Sequence, residues 1–89
     1  MTKFYEKIVI FDGSVKGSGL ALAEIDSSMN CGSPELIGYA VVIRFYVSCM
    51  GIKKTEQEIN NTIEVLKKYK IDYRIAKIKV WYFGIGCVF

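Results

Sequence analysis

Histidine is absent from this 89-residue sequence, and cysteine and proline are scarce. Without histidine, the chain lacks the usual general base near neutral pH and the commonest metal ligand. The three cysteines, Cys31, Cys49 and Cys87, are widely spaced and form no CxxC pair, which argues against a structural zinc site. We therefore expect free thiols in a reducing compartment, and any hydrolytic chemistry would depend on carboxylates and a metal ion.

Long hydrophobic runs are also missing. The most apolar window, Gly38–Ile52, has Arg44 at its middle and is shorter than the roughly 20 residues that span a bilayer. Charged residues interrupt the opening stretch, so no signal peptide is predicted. We expect a soluble, cytoplasmic chain without membrane contact, folded as one domain over residues 1–89. The 52% hydrophobic content indicates that a partner or a second subunit covers part of the surface.

The stretch Lys7–Asp26, KIVIFDGSVKGSGLALAEID, organises the rest of the chain. Ile8–Phe11 are consecutive apolar residues ahead of a turn, which predicts a buried strand. Three glycines within Asp12–Gly19 indicate a tight turn. We interpret Leu20–Asp26 as a returning strand, although its Leu and Ala content also suits a helix. A phosphate-binding loop is the alternative for the turn, but the turn matches neither GxGxxG nor the P-loop pattern.

Three further elements follow along the chain. Leu36–Cys49 is a β-branched and aromatic run that predicts one long strand. Thr55 to Glu58 fits a capping box with Thr55 as N-cap, and the apolar stripe behind it predicts a helix to about Lys70. Tyr73–Phe83 alternates and predicts a final strand. The predicted class is α+β in the order β-β-β-α-β, with an antiparallel three-stranded meander, one helix and a fourth strand beside the first.

The motifs resemble a known nuclease fold. The strand, Asp12, Gly/Ser turn and second apolar run of IVIFDGSVKGSGLALAEID are similar to the first motif of RuvC-like resolvases, a branch of the RNase H-like fold. Asp12 to Ser14 with the later Gly38-Tyr39 also resembles type 1 RNases H. The stretch KKYKIDYRIAKIKVWY is similar to the resolvase segment that leads from a helix into the fourth strand. The resemblance implies an RNase H-like half fold and a site for two divalent metal ions, such as Mg²⁺, held by several carboxylates.

The resemblance also assigns residues to that site. It places Asp12 at the first metal position and makes Glu58 the candidate for a second catalytic carboxylate, a residue that the capping box explains equally well. The family's fourth-strand carboxylate falls near Lys77, and no Asp or Glu follows Asp72. Because the acidic set is incomplete, we expect Lys77 to neutralise Asp12 through a salt bridge. An Asp before a Gly is also typical of a turn former.

Basic and aromatic residues offer other contacts. Lys16, Lys77 and Lys79 are candidates for phosphate or nucleic-acid contact, with Tyr73 or Trp81 available for base stacking. Lysines on a strand are also typical of a solvated sheet edge, and the net charge of +3 is short of a nucleic-acid-binding patch. The aromatic C-terminal part is either core or a candidate protein interface formed by Tyr73, Trp81, Tyr82, Phe83 and Phe89.

These features favour a small non-catalytic protein-binding module over an enzyme. Phage or mobile-element inhibitors of a host nuclease, including those of the anti-CRISPR type, have this size and composition, although fold-level analogy alone does not determine function. The first alternative is a metal-dependent RNase H/RuvC-like nuclease that uses Asp12 and Glu58, with a homo-oligomer supplying further acidic groups. The second is a small nucleic-acid or nucleotide binder that uses the glycine turn. We expect a protein partner, and no cofactor unless the chain is a nuclease.

Overall fold

The described backbone contains four strands and two helices. The structure, a computed structural model, describes residues 2–29, 33–47 and 51–83, and only the backbone of residues 2–5 and 77–83. The strands are β1 (Thr2–Asp12), β2 (Glu35–Ile37), β3 (Ala40–Tyr46) and β4 (Tyr73–Phe83). The helices are α1 (Ser18–Ser28) and α2 (Ile52–Lys68). The predicted α+β class is confirmed, and so is the final strand.

The four strands form one antiparallel sheet in the order β2-β3-β1-β4. The fourth strand lies beside the first, as predicted. The β-α-β-β-α-β order along the chain is that of ferredoxin-like, or split βαβ, domains. The predicted β-β-β-α-β order is therefore wrong, because a helix stands where the second strand was expected. The resemblance to an RNase H-like half, which depends on the predicted order, stays a prediction.

Helix α1 corrects the prediction of a returning strand at Leu20–Asp26. Leu, Ala and Glu are strong helix formers, and the helix buries Ala21 and Ile25, which lie one turn apart on the same face. Leu20 lies elsewhere on the helix and is 65% exposed. The strand prediction assumed that β1 needs a hairpin partner next in sequence. In the structure β3 and β4 flank β1 instead.

A turn at Gly38 and Tyr39 corrects the prediction of one long strand over Leu36–Cys49, whose last residues lie outside the described ranges. Gly38 has a φ of +63°, a conformation that glycine adopts without steric cost. Strands β2 and β3 pair across this turn as a short hairpin. The turn brings the chain to the end of the sheet where β1 also ends.

The start of α2 corrects the predicted capping box. The helix begins at Ile52, and Gly51, with a φ of +79°, is its N-cap. Thr55 is buried inside the helix, and its hydroxyl donates a 2.7 Å hydrogen bond to the Gly51 carbonyl oxygen. The helix ends at Lys68, close to the predicted end, and lysines in its last turn complement the helix dipole.

One hydrophobic core lies between the two helices and a single face of the sheet. Alternate residues of β1 and β3 enter this core, as the two-residue period of a strand requires. The residues that alternate with them, such as Ile8, Ile10 and Arg44, are half-buried on the opposite face. The molecule therefore has two layers. The buried core consists of Val9, Phe11, Ala21, Ile25, Val41, Ile43, Phe45, Ile59, Leu66 and Ile71.

Candidate functional site

A shallow cavity of about 520 Å³ lies at the end of the sheet where β1 stops, the β2–β3 hairpin turns and β4 begins. Three separate parts of the chain meet there because β1 runs antiparallel to both β3 and β4. The surface is largely apolar, with charged groups among the lining residues. This end of the sheet is the candidate site. Its lining residues are Ile10, Phe11, Asp12, Ile37, Tyr39, Ala40, Asp72, Tyr73 and Arg74.

Asp12 ends β1 at the edge of this cavity, and its carboxylate is held by the turn that follows. Its Oδ1 accepts hydrogen bonds from the Ser14 backbone N–H at 2.8 Å and from the Ser14 hydroxyl at 2.7 Å. Both bonds lower the pKa of Asp12 below its ordinary value because they stabilise the charged form, and the bond from the Ser14 hydroxyl has the larger effect. The geometry is an Asx-turn, the turn-forming role expected of an Asp before Gly.

Gly13 connects the loop after β1 to the hairpin turn. Its N–H donates a 2.6 Å hydrogen bond to the Tyr39 carbonyl oxygen, and its own carbonyl oxygen accepts a 2.7 Å bond from the Ser18 hydroxyl. A Cβ at position 13 would lie 3.0 Å from Leu36 Cδ1 and 3.2 Å from the Tyr39 oxygen. A side chain at position 13 would crowd the hairpin, which explains the glycine there. The hydrogen bond from Gly13 to Tyr39 positions the hairpin against the end of β1.

The hairpin presents apolar side chains beside this junction. Leu36 is 66% exposed, Ile37 51% and Tyr39 84%. An ion pair connects the two strands of the hairpin: Arg44 Nη1 of β3 lies 2.7 Å from Glu35 Oε2 of β2. The hydrogen bond from Gly13 and this ion pair fix the hairpin, which carries the exposed apolar side chains outside the core.

The charges at the cavity are mixed. Asp12, Asp72 and Arg74 all line it and are exposed. Within the described residues, no group of three or more His, Cys, Asp and Glu side chains is placed to hold a metal ion. Glu58, the predicted second carboxylate, is buried on α2, and no described cavity is lined by both Glu58 and Asp12. The structure therefore does not bring the two predicted catalytic carboxylates into one described cavity.

The register of β4 places the predicted lysines away from Asp12. Lys77 pairs with Ile8, and Lys79 pairs with Glu6. Ile8 precedes Asp12 by four residues of β1, about 13 Å along a strand. That separation exceeds the reach of a lysine side chain, so the register argues against the predicted salt bridge between Lys77 and Asp12.

The other predicted site residues are dispersed. Lys16 is exposed in the loop before α1. Tyr73 is half-buried, packs against the core and lines the cavity. Phe89 lies outside the described residues. The remaining predicted interface residues occupy the end of β4, where Trp81, Tyr82 and Phe83 pair with Phe4, Lys3 and Thr2 of β1.

Sequence reasoning missed Ile37, Tyr39 and Arg74 as site residues. It treated the hairpin as one strand, so the turn that exposes Tyr39 was not foreseen. A signal was present, because a glycine inside a strand pattern often marks a bend. Arg74 had no such signal, since its place in the same cavity as Asp12 arises only from the pairing of β4 with β1.

A second polar cluster connects the two helices. The Tyr69 hydroxyl donates a 2.8 Å hydrogen bond to Glu24 Oε2, and Lys68 Nζ lies 3.3 Å from Glu24 Oε1. The ammonium also lies 5.4 Å from the centre of the Tyr69 ring. Hydrogen bonds from Tyr69 and then Lys68 lower the pKa of Glu24, and the bond to Glu24 raises the pKa of Tyr69. The cluster clamps α1 to α2.

Comparison with protein-family models, with curated proteins and with solved structures finds no significant match to this chain. Among the described residues, neither helix has the length and apolar character needed to cross a membrane.

Proposed function

We propose that this protein is a small non-catalytic binding module that docks a protein partner at the end of its sheet. The observation that carries the proposal is the run of exposed large apolar side chains on the β2–β3 hairpin, Leu36, Ile37 and Tyr39. Apolar surface of this kind, bordered by polar groups, is characteristic of interaction sites. The hairpin also borders a largely apolar cavity that could receive a side chain of the partner.

The composition of the site supports protein recognition. Tyrosine and arginine are enriched among the residues that contribute most to binding free energy at protein interfaces, and Tyr39 and Arg74 both line the cavity. Hydrogen bonding at Gly13 and the ion pair of Arg44 with Glu35 hold the hairpin before a partner arrives. A preorganised surface loses little conformational entropy on binding, which favours affinity.

The contacts of Asp12 favour binding over cleavage. Two-metal nucleases clamp the attacking and leaving oxygens with ions held by several carboxylates. The Asp12 carboxylate accepts two hydrogen bonds from Ser14 in the loop, which gives it a structural role in the turn. We therefore assign Asp12 to loop geometry, next to an interaction surface.

A nuclease inhibitor of phage or mobile-element origin is the finer form of this proposal. Its support is the chain's small size and the exposed apolar surface beside a sheet end. Such an inhibitor would bind a nuclease and reduce its activity at a stoichiometric ratio without cutting nucleic acid itself. If the captured partner is a nuclease, titrating it with this protein at concentrations above the Kd tests that form directly.

The proposal is tested by affinity capture with matched surface variants. Tagged protein should retrieve a partner from lysate of its native cellular environment, and Ile37→Ser or Tyr39→Ser should weaken binding about tenfold or more. The control is Leu20→Ser on α1, which removes an apolar side chain of similar exposure far along the chain from the hairpin. Equal loss in the hairpin and Leu20 variants, or no loss in either hairpin variant, would contradict the proposal.

A further inference from the structure

The N-terminal end of β1 and the C-terminal end of β4 form a two-stranded ribbon that extends beyond the rest of the described sheet. Strand β3 pairs with β1 only from Glu6 to Asp12, whereas β4 continues along β1 as far as Thr2. Over residues 2–5 and 80–83 the described sheet therefore has only two strands. The sequence there is TKFY on β1 and VWYF on β4, which is mostly aromatic.

Such a ribbon is poorly stabilised by itself. An isolated pair of strands is marginal in water, and a third strand or a covering layer is needed for stability. Strand β4 is an edge of the sheet, and no described strand pairs with its outer side. An edge strand presents a row of backbone donors and acceptors that another strand can pair with.

A bulge restricts which part of this edge is regular. Lys77 pairs with Ile8 while Ile75 pairs with Val9, so Ala76 is an extra residue in β4. Bulges twist an edge and interrupt regular pairing. The regular edge therefore runs from Lys77 to Phe83, where β4 ends. That segment has seven residues, and Val80 is its centre.

We propose that two copies of this chain associate through this segment, with β4 pairing antiparallel to β4 of the second copy about a two-fold axis at Val80. The contact would join the two sheets into one continuous sheet and convert each two-stranded ribbon into part of a four-stranded one. It uses the opposite edge of the sheet from the β2–β3 hairpin, and the part of β4 that follows the cavity-lining Tyr73 and Arg74.

The sequence of the segment is self-complementary in this register. Lys79 falls opposite Trp81 of the second copy, and Lys77 falls opposite Phe83 of the second copy. Each lysine thus falls opposite an aromatic residue and not opposite another lysine, and compatible cross-strand pairs stabilise sheets. Ile78 falls opposite Tyr82 of the second copy, which adds an aromatic pair with a β-branched residue.

Registers centred nearer to the bulge are disfavoured by charge. Centring the two-fold axis on Ile78 would place Lys77 opposite Lys79 of the second copy, twice per dimer, and like charges directly opposite are destabilising. That register would also include the bulge at Ala76. Centring the axis on Lys79 would place Lys79 opposite Lys79 of the second copy. The lysines that protect an edge from indiscriminate pairing therefore disfavour the registers centred on Ile78 and Lys79, and the axis at Val80 is the one that pairs all seven residues of the segment.

The association is measured first by sedimentation or light scattering of the full chain over a range of concentrations. The expected mass is about 20 kDa, twice the 10.1 kDa of one chain. Phe83→Lys should abolish the dimer because it places a lysine opposite Lys77 of the second copy. Adding Lys77→Glu to that variant should restore the dimer, since opposite charges then face each other. A circular dichroism spectrum equal to that of the unchanged protein confirms that each variant is folded.

Disulfide trapping reads the register. In a chain with Cys31, Cys49 and Cys87 changed to serine, Val80→Cys should crosslink under mild oxidation, because a residue on the axis faces its own copy within disulfide distance. Ile78→Cys is the matched control and should stay uncrosslinked. A monomer at every concentration, a dimer indifferent to Phe83→Lys, or preferential crosslinking of Ile78→Cys would each overturn the proposal.

Discussion

The Gly13 N–H donates a 2.6 Å hydrogen bond to the carbonyl oxygen of Tyr39, and this bond ties the end of β1 to the turn between β2 and β3. Residues 26 positions apart in the sequence thus share one junction. The candidate site depends on this junction. Tyr39 is the most exposed of the large apolar residues in the described part of the chain, and the bond from Gly13 holds its backbone.

Gly13→Ala should destabilise the protein. The new Cβ would lie 3.0 Å from Leu36 Cδ1 and 3.2 Å from the Tyr39 backbone oxygen, and the latter belongs to the bond that fixes the junction. Overpacking of this kind costs about 1–3 kcal/mol in the free energy of unfolding, measured by urea titration. Gly19→Ala is the control, because a Cβ there meets nothing within 4 Å and alanine favours a helix by up to about 1 kcal/mol. Equal effects of the two substitutions would contradict this account of Gly13.

Ile25→Ala should be costly, and Leu20→Ala should not. Ile25 is 1% exposed in the core, whereas Leu20 is 65% exposed on the same helix. Removing the buried side chain should lower the free energy of unfolding by about 2–5 kcal/mol, while the surface change should stay within about 0.5 kcal/mol. Urea titration of both variants compares them. A larger effect at Leu20 would mean that α1 packs through a different face.

Acid should weaken the clamp between the helices. The folded-state pKa of Glu24 lies below its ordinary value of 4.5, so its carboxylate contributes stability above that value and loses it as pH falls through the folded-state pKa. Glu24→Gln should therefore make the free energy of unfolding less dependent on pH as the pH falls below 4.5. Tyr69→Phe removes the main cause of the lowered pKa and should act in the same direction. An unchanged pH dependence in both variants would show that the clamp is not formed in solution.

Alkali should weaken the same clamp by deprotonating Tyr69. The folded-state pKa of Tyr69 lies above its ordinary value of 10.0 because Glu24 accepts its hydroxyl proton in a hydrogen bond. Its contribution to stability is present below that value and is lost as pH rises through the folded-state pKa. Tyr69→Phe should therefore remove part of the alkaline loss of stability, measured by thermal unfolding above about pH 9. A wild-type alkaline profile in this variant would contradict the prediction.

Purified protein should not cleave nucleic acid in the presence of Mg²⁺. The physical reason is the engagement of the Asp12 carboxylate with Ser14, together with the burial of Glu58, which shares no described cavity with Asp12. Branched DNA, an RNA–DNA hybrid and single strands are the substrates to test, with folded protein of known oligomeric state. Cleavage that disappears with a chelator and in Asp12→Asn would establish the nuclease alternative and overturn the proposed function.

Part of the candidate site could be foreseen from local patterns. Asp12 follows a consecutive apolar run and precedes a glycine, so its position at a strand end is visible in the sequence. Tyr73 begins an alternating stretch and was placed correctly at the start of the last strand. Ile37, Tyr39 and Arg74 were not foreseen, because the cavity is made by three segments whose proximity depends on sheet pairing.

The sequence by itself determined the elements whose signal is local and strong. The apolar run at Ile8–Phe11, the amphipathic stripe of α2 and the alternation of Tyr73–Phe83 each specify one periodicity, and the structure contains all three. Local propensity favours a helix over Leu20–Asp26, since Leu, Ala and Glu are strong helix formers, and the strand prediction was wrong because it gave more weight to a hairpin partner for β1. The tertiary structure decided which face of that helix is buried, with Ala21 and Ile25 in the hydrophobic core. Which strands flank β1 was also a tertiary outcome, since pairing depends on where all the apolar faces can be buried together.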